Sequence, residues 1–211
     1  MPVQRISRQA REAPKPEPAR ERVISGAIEV FGVLGYSKST VQDIATAARV
    51  SKPIFYRHFE NKSDVFEVVI DRVCSEWYDA ILEKTREFEG RTVESLRALL
   101  LETLAHTKAR PLLQRLLTRD AQLVLWSESN VLDQIHARVR ELIQSVLEEG
   151  IASGQVRTDV PVAHLADAVN ELVSVYSIRL VLGATIDDAL AESVASFIAS
   201  GIEPRPDRQP A

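Results

Sequence analysis

One cysteine, Cys74, is all that the 211 residues contain. No disulfide can therefore close within the chain, no cysteine-based metal cluster can assemble, and a reducing compartment suits it. Histidine is nearly as scarce. His58, His106, His136 and His164 are scattered, and none falls into a His-Glu-x-x-His spacing. A glycine-rich phosphate loop, a nucleophile elbow and paired carboxylates with a partner base are all missing. The expectation is a protein that is not an enzyme and holds neither cofactor nor metal. No apolar run approaches the ~18–20 residues of a membrane span. The Arg- and Pro-rich start lacks the apolar core of a secretory signal. A cytoplasmic protein without a membrane partner is expected. Aromatics make up only 6% against 45% hydrophobic residues, which suits an aliphatic core of packed helices.

What is present is charge, unevenly placed. The net charge of −4 argues by itself against nonspecific nucleic-acid binding. Residues 1–63, however, hold 11 Lys and Arg against 6 Asp and Glu, while residues 64–211 hold 15 against 24. A surplus of five positive charges precedes a surplus of nine negative ones, the pattern of a basic contact module on an acidic body.

Taken in order, residues 1–17 carry Arg5, Arg8, Arg11 and Lys15 among prolines and read as a disordered basic arm. Such an arm can enter a minor groove. A first helix is predicted from about Pro18 to Leu34, striped by Val23, Ile24, Ala27, Ile28 and Phe31 and stopped by Gly35. The recurrence of Val65, Phe66, Val69, Val73, Trp77, Ile81 and Leu82 at helical spacing predicts a long helix from about Lys62 to Phe88, ended by Gly90. Asn61 or Ser63 is placed to cap it. Further helices are predicted over Thr92–Ala109, from Pro111 through a leucine-rich stretch to near Trp126, and over Val131–Ala152. The last two are predicted over Val160–Leu182, capped by Asp159, and from Thr185 with Asp187 and Asp188 at its positive end until Gly201 stops it. The tail 203–211 reads as disordered. The fold class is all-α, with about nine helices. Its domains are expected at 18–63 and 64–202.

Residues 39–62 read as two short helices with a tight break. Thr40 is placed to cap the first, whose Ile44, Ala45 and Ala48 form a narrow apolar face. Ser51 is placed to cap the second, with Pro53 in its first turn, where a missing N–H costs nothing. Phe55 and Phe59 repeat at i, i+4 and can pack inward. Lys52, Ile54, Tyr56, Arg57 and His58 are left for other faces. This is the layout of a helix-turn-helix.

Residues 20–66 resemble the DNA-binding domain of the TetR family of bacterial transcriptional regulators. The resemblance rests on Ala27–Tyr36, on Thr40–Ala45, and on Val50–Phe59 followed by Asn61-Lys62. One departure is Arg49, where the family usually has a turn glycine. Either the position does not need positive φ, or a small strain is tolerated.

The resemblance implies an operator-binding homodimer. Thr40 and Gln42 are expected to face DNA from the second helix. Ser51, Lys52, Pro53 and Ile54 would lie nearest the bases, with Lys52 able to donate to guanine and Pro53 and Ile54 able to meet a thymine methyl. Tyr56, His58 and Lys62 match phosphate-holding positions, and Arg57 can serve either role. The last two helices, about 160–200, would form the dimer's four-helix bundle, and the motif itself spans about 40–59. A small-molecule effector, which the resemblance implies and which is expected to be apolar, would sit among the middle helices near Trp77, Leu104, His106, Arg119 and Trp126. The function implied is a ligand-responsive repressor on a palindromic operator. The alternative is a helical ligand- or partner-binding protein whose DNA binding has lapsed, for which Arg49 is the only hint.

Overall fold

The computed structural model describes residues 18–117 and 131–205. Among these, nine α-helices form and no strand does. They are α1 (Ala19–Leu34), α2 (Val41–Ala47), α3 (Lys52–Tyr56), α4 (Lys62–Arg86), α5 (Thr92–Ala109), α6 (Pro111–Leu117), α7 (Val131–Ala152), α8 (Val162–Val181) and α9 (Asp188–Ile202). No helix among the described residues is long and apolar enough to cross a membrane.

Helices α1 to α3 form a small head. The α1 stripe of Val23, Ile24, Ala27 and Phe31 is completely buried. Gly35 ends this helix at φ 76°, a conformation that costs glycine nothing, and its N–H returns to the Phe31 carbonyl. Phe31, Tyr36 and Phe66 then stack as an aromatic cluster, with Phe31 and Phe66 edge-to-face at 5.1 Å. Such rings add binding beyond the area they bury.

Helix α4 starts in the head and continues into the body. Its 25 residues span about 37 Å at 1.5 Å per residue. Asn61 caps it by accepting the Asp64 N–H at 3.0 Å. In the body α4 packs on α5 and α7, and α8 packs on α5 and α7, while α9 lies against α5. Gly150 lets α7 approach the start of α5, since a Cβ there would stand 2.5 Å from both Thr92 Oγ1 and Val156 Cγ2.

Helix α6 reaches back to the head. Arg115 donates from Nε to the Gly32 carbonyl at 3.0 Å and from Nη2 to the Val33 carbonyl at 3.1 Å. Arg72 of α4 pairs with Glu21 of α1, a second tie between head and body.

Several local expectations change. Asp159 does not cap α8, because its carboxylate is paired with the Arg157 guanidinium; the helix begins after Pro161 without a side-chain cap. Ser51 likewise makes no cap bond to α3. Helix α9 starts at Asp188 with Asp187 as its cap, and it runs through Gly201 to Ile202, since nothing in Gly201's surroundings demands a stop. The leucine-rich stretch after Pro111 is helical to Leu117, and its continuation toward Trp126 lies outside the described residues, as do the arm 1–17 and residues 206–211 of the tail.

Candidate nucleic-acid interface

The short α2 is held by a reciprocal cap. The Thr40 hydroxyl accepts the Asp43 N–H, and the Asp43 carboxylate accepts the Thr40 N–H at 2.9 Å. The Thr40 hydroxyl and N–H both hold the Asp43 carboxyl below its usual range. Behind the cap, α2 lies close on α1. A Cβ at Gly26 would stand 2.7 Å from the Ala48 backbone nitrogen. Only glycine permits that approach.

Arg49 turns the chain between α2 and α3 at φ 53°. The position does require the left-handed conformation, and arginine occupies it at a steric cost of about 1–2 kcal/mol. Arg49→Gly should therefore raise the melting temperature slightly, the relief of strain being offset in part by the added freedom of the unfolded chain. A lower melting temperature would mean that the arginine side chain contributes more than its backbone costs.

The turn delivers α3 with Phe55 fully buried and Phe59 nearly so, 5.8 Å apart between ring centroids. What remains outside is polar and basic. Ser51, Lys52, Pro53, Tyr56, Arg57 and His58 are exposed, and Ile54 is half-buried. The side chains of Ser51, Lys52, Arg57 and His58 have no side-chain partner among the described residues. Tyr56 packs its ring edge-on against Phe55 at 5.4 Å, which fixes the ring and leaves its hydroxyl without a partner. Seven of the ten residues expected at DNA thus come together on one short segment with their polar groups unspent.

The other three are tied into local structure. Thr40 serves the cap, and Gln42 donates to Thr46 Oγ1 at 3.2 Å. Lys62 is half-buried and donates to the carbonyls of Tyr36 at 2.7 Å and Ser39 at 2.9 Å, with its ammonium 4.2 Å from the Tyr36 ring centroid. It braces the α1–α2 turn. Burial pushes its pKa down. Arg22 was not anticipated from sequence: it reaches from α1 toward the Arg49 carbonyl, and its Nε is buried without a partner. Arg22 is one of two arginines in the first turn of α1, and nothing in the sequence marks it out from Arg20.

In the body, a cavity of about 210 Å³ opens between α4, α5, α7 and α8. Trp77 lines it beside Thr103, His136, Val139, Asn170 and Ser174. His106 does not line it. Its Nε2 is buried without a partner, and burial and then the Arg110 charge push its pKa down. Leu104 lines a separate groove with Leu101, Lys108 and Ile186. Arg119 and Trp126 lie outside the described residues. Asn170, Ser174 and Ser177 recur at i, i+4, i+7 on α8, beside the charged Asp167, Glu171 and Arg179, a polar stripe by which sequence reasoning could have found this wall. Cys74 is buried, which raises its thiol pKa to about 12 and leaves it inert.

A capped α2, a tight turn and an α3 presenting basic side chains define a helix-turn-helix DNA-binding protein. Residues 23–69 match the family model described as bacterial regulatory proteins, tetR family. The chain is 31% identical over 157 residues to the HTH-type transcriptional repressor DhaR of Mycobacterium sp. (strain GP1), covering 71% of this chain and 76% of that one. It is 26% identical over 147 residues to the HTH-type transcriptional repressor KstR2 of Rhodococcus jostii (strain RHA1), covering 68% and 70%. Its fold matches the transcriptional regulator FadR from Bacillus subtilis, solved in complex with stearoyl-CoA, at TM-score 0.69 and 21% identity over 87% of this chain and 99% of that one. The chain belongs to the TetR family and is a DNA-binding transcriptional regulator.

Proposed function

We propose that the protein is a cytoplasmic, homodimeric repressor that holds a palindromic operator through residues 40–62 and lets go when a small molecule binds the body. The observation that carries this reading is the exposed, unpartnered set Ser51, Lys52, Tyr56, Arg57 and His58 on and beside α3. Two cations, two hydroxyls and an imidazole that hydrogen-bond to nothing among the described residues suit phosphates and base edges outside the protein. Thr40, Gln42 and Lys62 act in this reading mainly by fixing where α3 stands. Lys62 keeps a third N–H beyond its two carbonyls.

The head is taken as 18–63 and the body as 64–202. Leu182 is 73% exposed and Phe197 68%, and Val175 and Ile178 also face outward, all on or beside α8 and α9. Large apolar side chains left open on the two final helices support a second copy packing there. Two-fold pairing would set the recognition helices about 34–36 Å apart, one turn of DNA. An effector need only favour a dimer geometry that breaks this spacing. Helix α4 and the Arg115 and Arg72 ties are the physical links along which the body can tilt the head.

DNA binding to fragments flanking the protein's own gene tests this. Affinity should fall steeply as salt rises, because each neutralised phosphate releases counterions. Tyr56→Ala should weaken binding roughly tenfold, the scale of one good polar contact, without altering thermal stability. No binding at low salt, or indifference to Tyr56→Ala, refutes the reading. A monomer at micromolar concentration by sedimentation, or a dimer unaffected by Phe197→Glu, refutes the proposed interface.

A further inference from the structure

The cavity between α4, α5, α7 and α8 has a chemistry more specific than its walls first suggest. Val139, Val173 and the Trp77 ring supply apolar wall. Two of its hydroxyls are already spent, Thr103 on the Leu99 carbonyl and Ser177 on the Val173 carbonyl. The Trp77 indole N–H is not spent: the residue is 3% exposed and Nε1 is buried without a partner. A buried donor left open is costly, and it asks for an acceptor that the protein itself does not supply. Glu171 also lines the cavity, exposed and with no ion-pair partner among the described residues. Asn170 beside it offers both a donor and an acceptor. No arginine or lysine lines the cavity.

We propose, building on the effector-responsive reading above, that this cavity binds a compact amine whose far end carries a hydrogen-bond acceptor. The acceptor meets the Trp77 N–H, an apolar middle lies along Val139 and Val173, and the ammonium faces Glu171. The volume of about 210 Å³ sets the size, since a cavity of roughly 150 Å³ takes benzene. A substituted phenyl ring fits, whereas a coenzyme A thioester has neither the room nor an arginine or lysine to meet its phosphates. Glu171 and Ile178 are seven residues apart on α8, so they share a face with Val175, the stripe proposed for the dimer. A second copy seated there covers the mouth.

Calorimetric titration of the full-length protein with tyramine, and with its anionic counterpart 4-hydroxyphenylacetate, tests the assignment. Tyramine should bind at least tenfold more tightly. Glu171→Gln, with the dimer checked by sedimentation because the residue lies on the proposed pairing face, should remove that preference, and Trp77→Phe should weaken both ligands. Equal or tighter binding of 4-hydroxyphenylacetate, a preference that survives Glu171→Gln, or no heat from tyramine at millimolar concentration overturns it. Operator affinity measured alongside separates the two readings. If tyramine binds with these dependences yet leaves DNA affinity unchanged, the site stands and the effector reading falls. If stearoyl-CoA releases the DNA and neither substitution alters that release, the effector reading stands and this site falls.

Discussion

Gly26→Ala should cost about 2–3 kcal/mol of stability, at about 2–4 °C per kcal/mol for a chain of this size, and should weaken DNA binding at least tenfold. The sign is informative because helix propensity alone predicts the reverse. Alanine is favoured over glycine inside a helix by about 1 kcal/mol. Here that gain is outweighed, because the new methyl would stand 2.7 Å from the Ala48 nitrogen and 3.1 Å from both its Cα and its Cβ. Those are backbone atoms and a side chain too short to swing aside. The end of α2 must move away from α1, and it carries the Arg49 turn and α3 with it. Gly201→Ala is the control: it too lies within a helix, but nothing stands within 4 Å of its added methyl. That variant should be neutral or slightly stabilised. Thermal unfolding of the two proteins side by side decides the matter, and equal melting temperatures would sink the argument.

Lys62→Met should destabilise the protein by about 2–3 kcal/mol even without DNA. The ammonium donates to the Tyr36 and Ser39 carbonyls. The Tyr36 carbonyl keeps another donor, the Ser39 hydroxyl at 2.7 Å, whereas Ser39 is itself buried and its carbonyl loses its partner. Methionine retains the stem and part of its packing, so the lost hydrogen bonds dominate the difference. A lysine that touched only phosphate would leave unfolding of the free protein unchanged. Lys52→Ala, at an exposed and unpartnered position, should show that second behaviour. The salt dependence of DNA binding tells whether Lys62 also uses its third N–H: a slope reduced by about one means a phosphate contact is lost as well.

Much of this fold was legible in the chain because periodicity and punctuation agreed. The stripes of α4, α5 and α7 gave their extents to within a few residues, and Gly35 marked a real stop, whereas α4 ends at Arg86 and is capped by Glu87 before Gly90 is reached. The stretch Ser51–His58 was legible for the same reason: Phe55 and Phe59 had to go inward, which left the basic residues outside. What escaped was anything decided by contacts distant in sequence. Lys62 read as a surface cation, and only the fold brings the Tyr36 and Ser39 carbonyls under it. Asp159 read as a cap until Arg157 claimed its carboxylate. Of the residues expected near an effector, Trp77 lines the body's cavity but His106 and Leu104 do not, and its polar α8 wall went unread in a helix whose apolar residues seemed to leave few polar faces. Arg49 was read as a choice between two possibilities, and the backbone chose strain.

Arg115 has one more effect. The carbonyls of Gly32 and Val33 belong to the final turn of α1, where a helix runs out of its own donors. A helix end of that kind frays by itself, yet here it is stitched by a guanidinium more than eighty residues further along the chain. Fraying of α1 is thereby made conditional on α6. With α6 seated, the last turn and the Gly35 exit stay wound; with α6 withdrawn, they are free to unravel beside the turn that Lys62 braces. The head can register the state of the body as a change in the order of its own backbone, with little displacement of any helix axis.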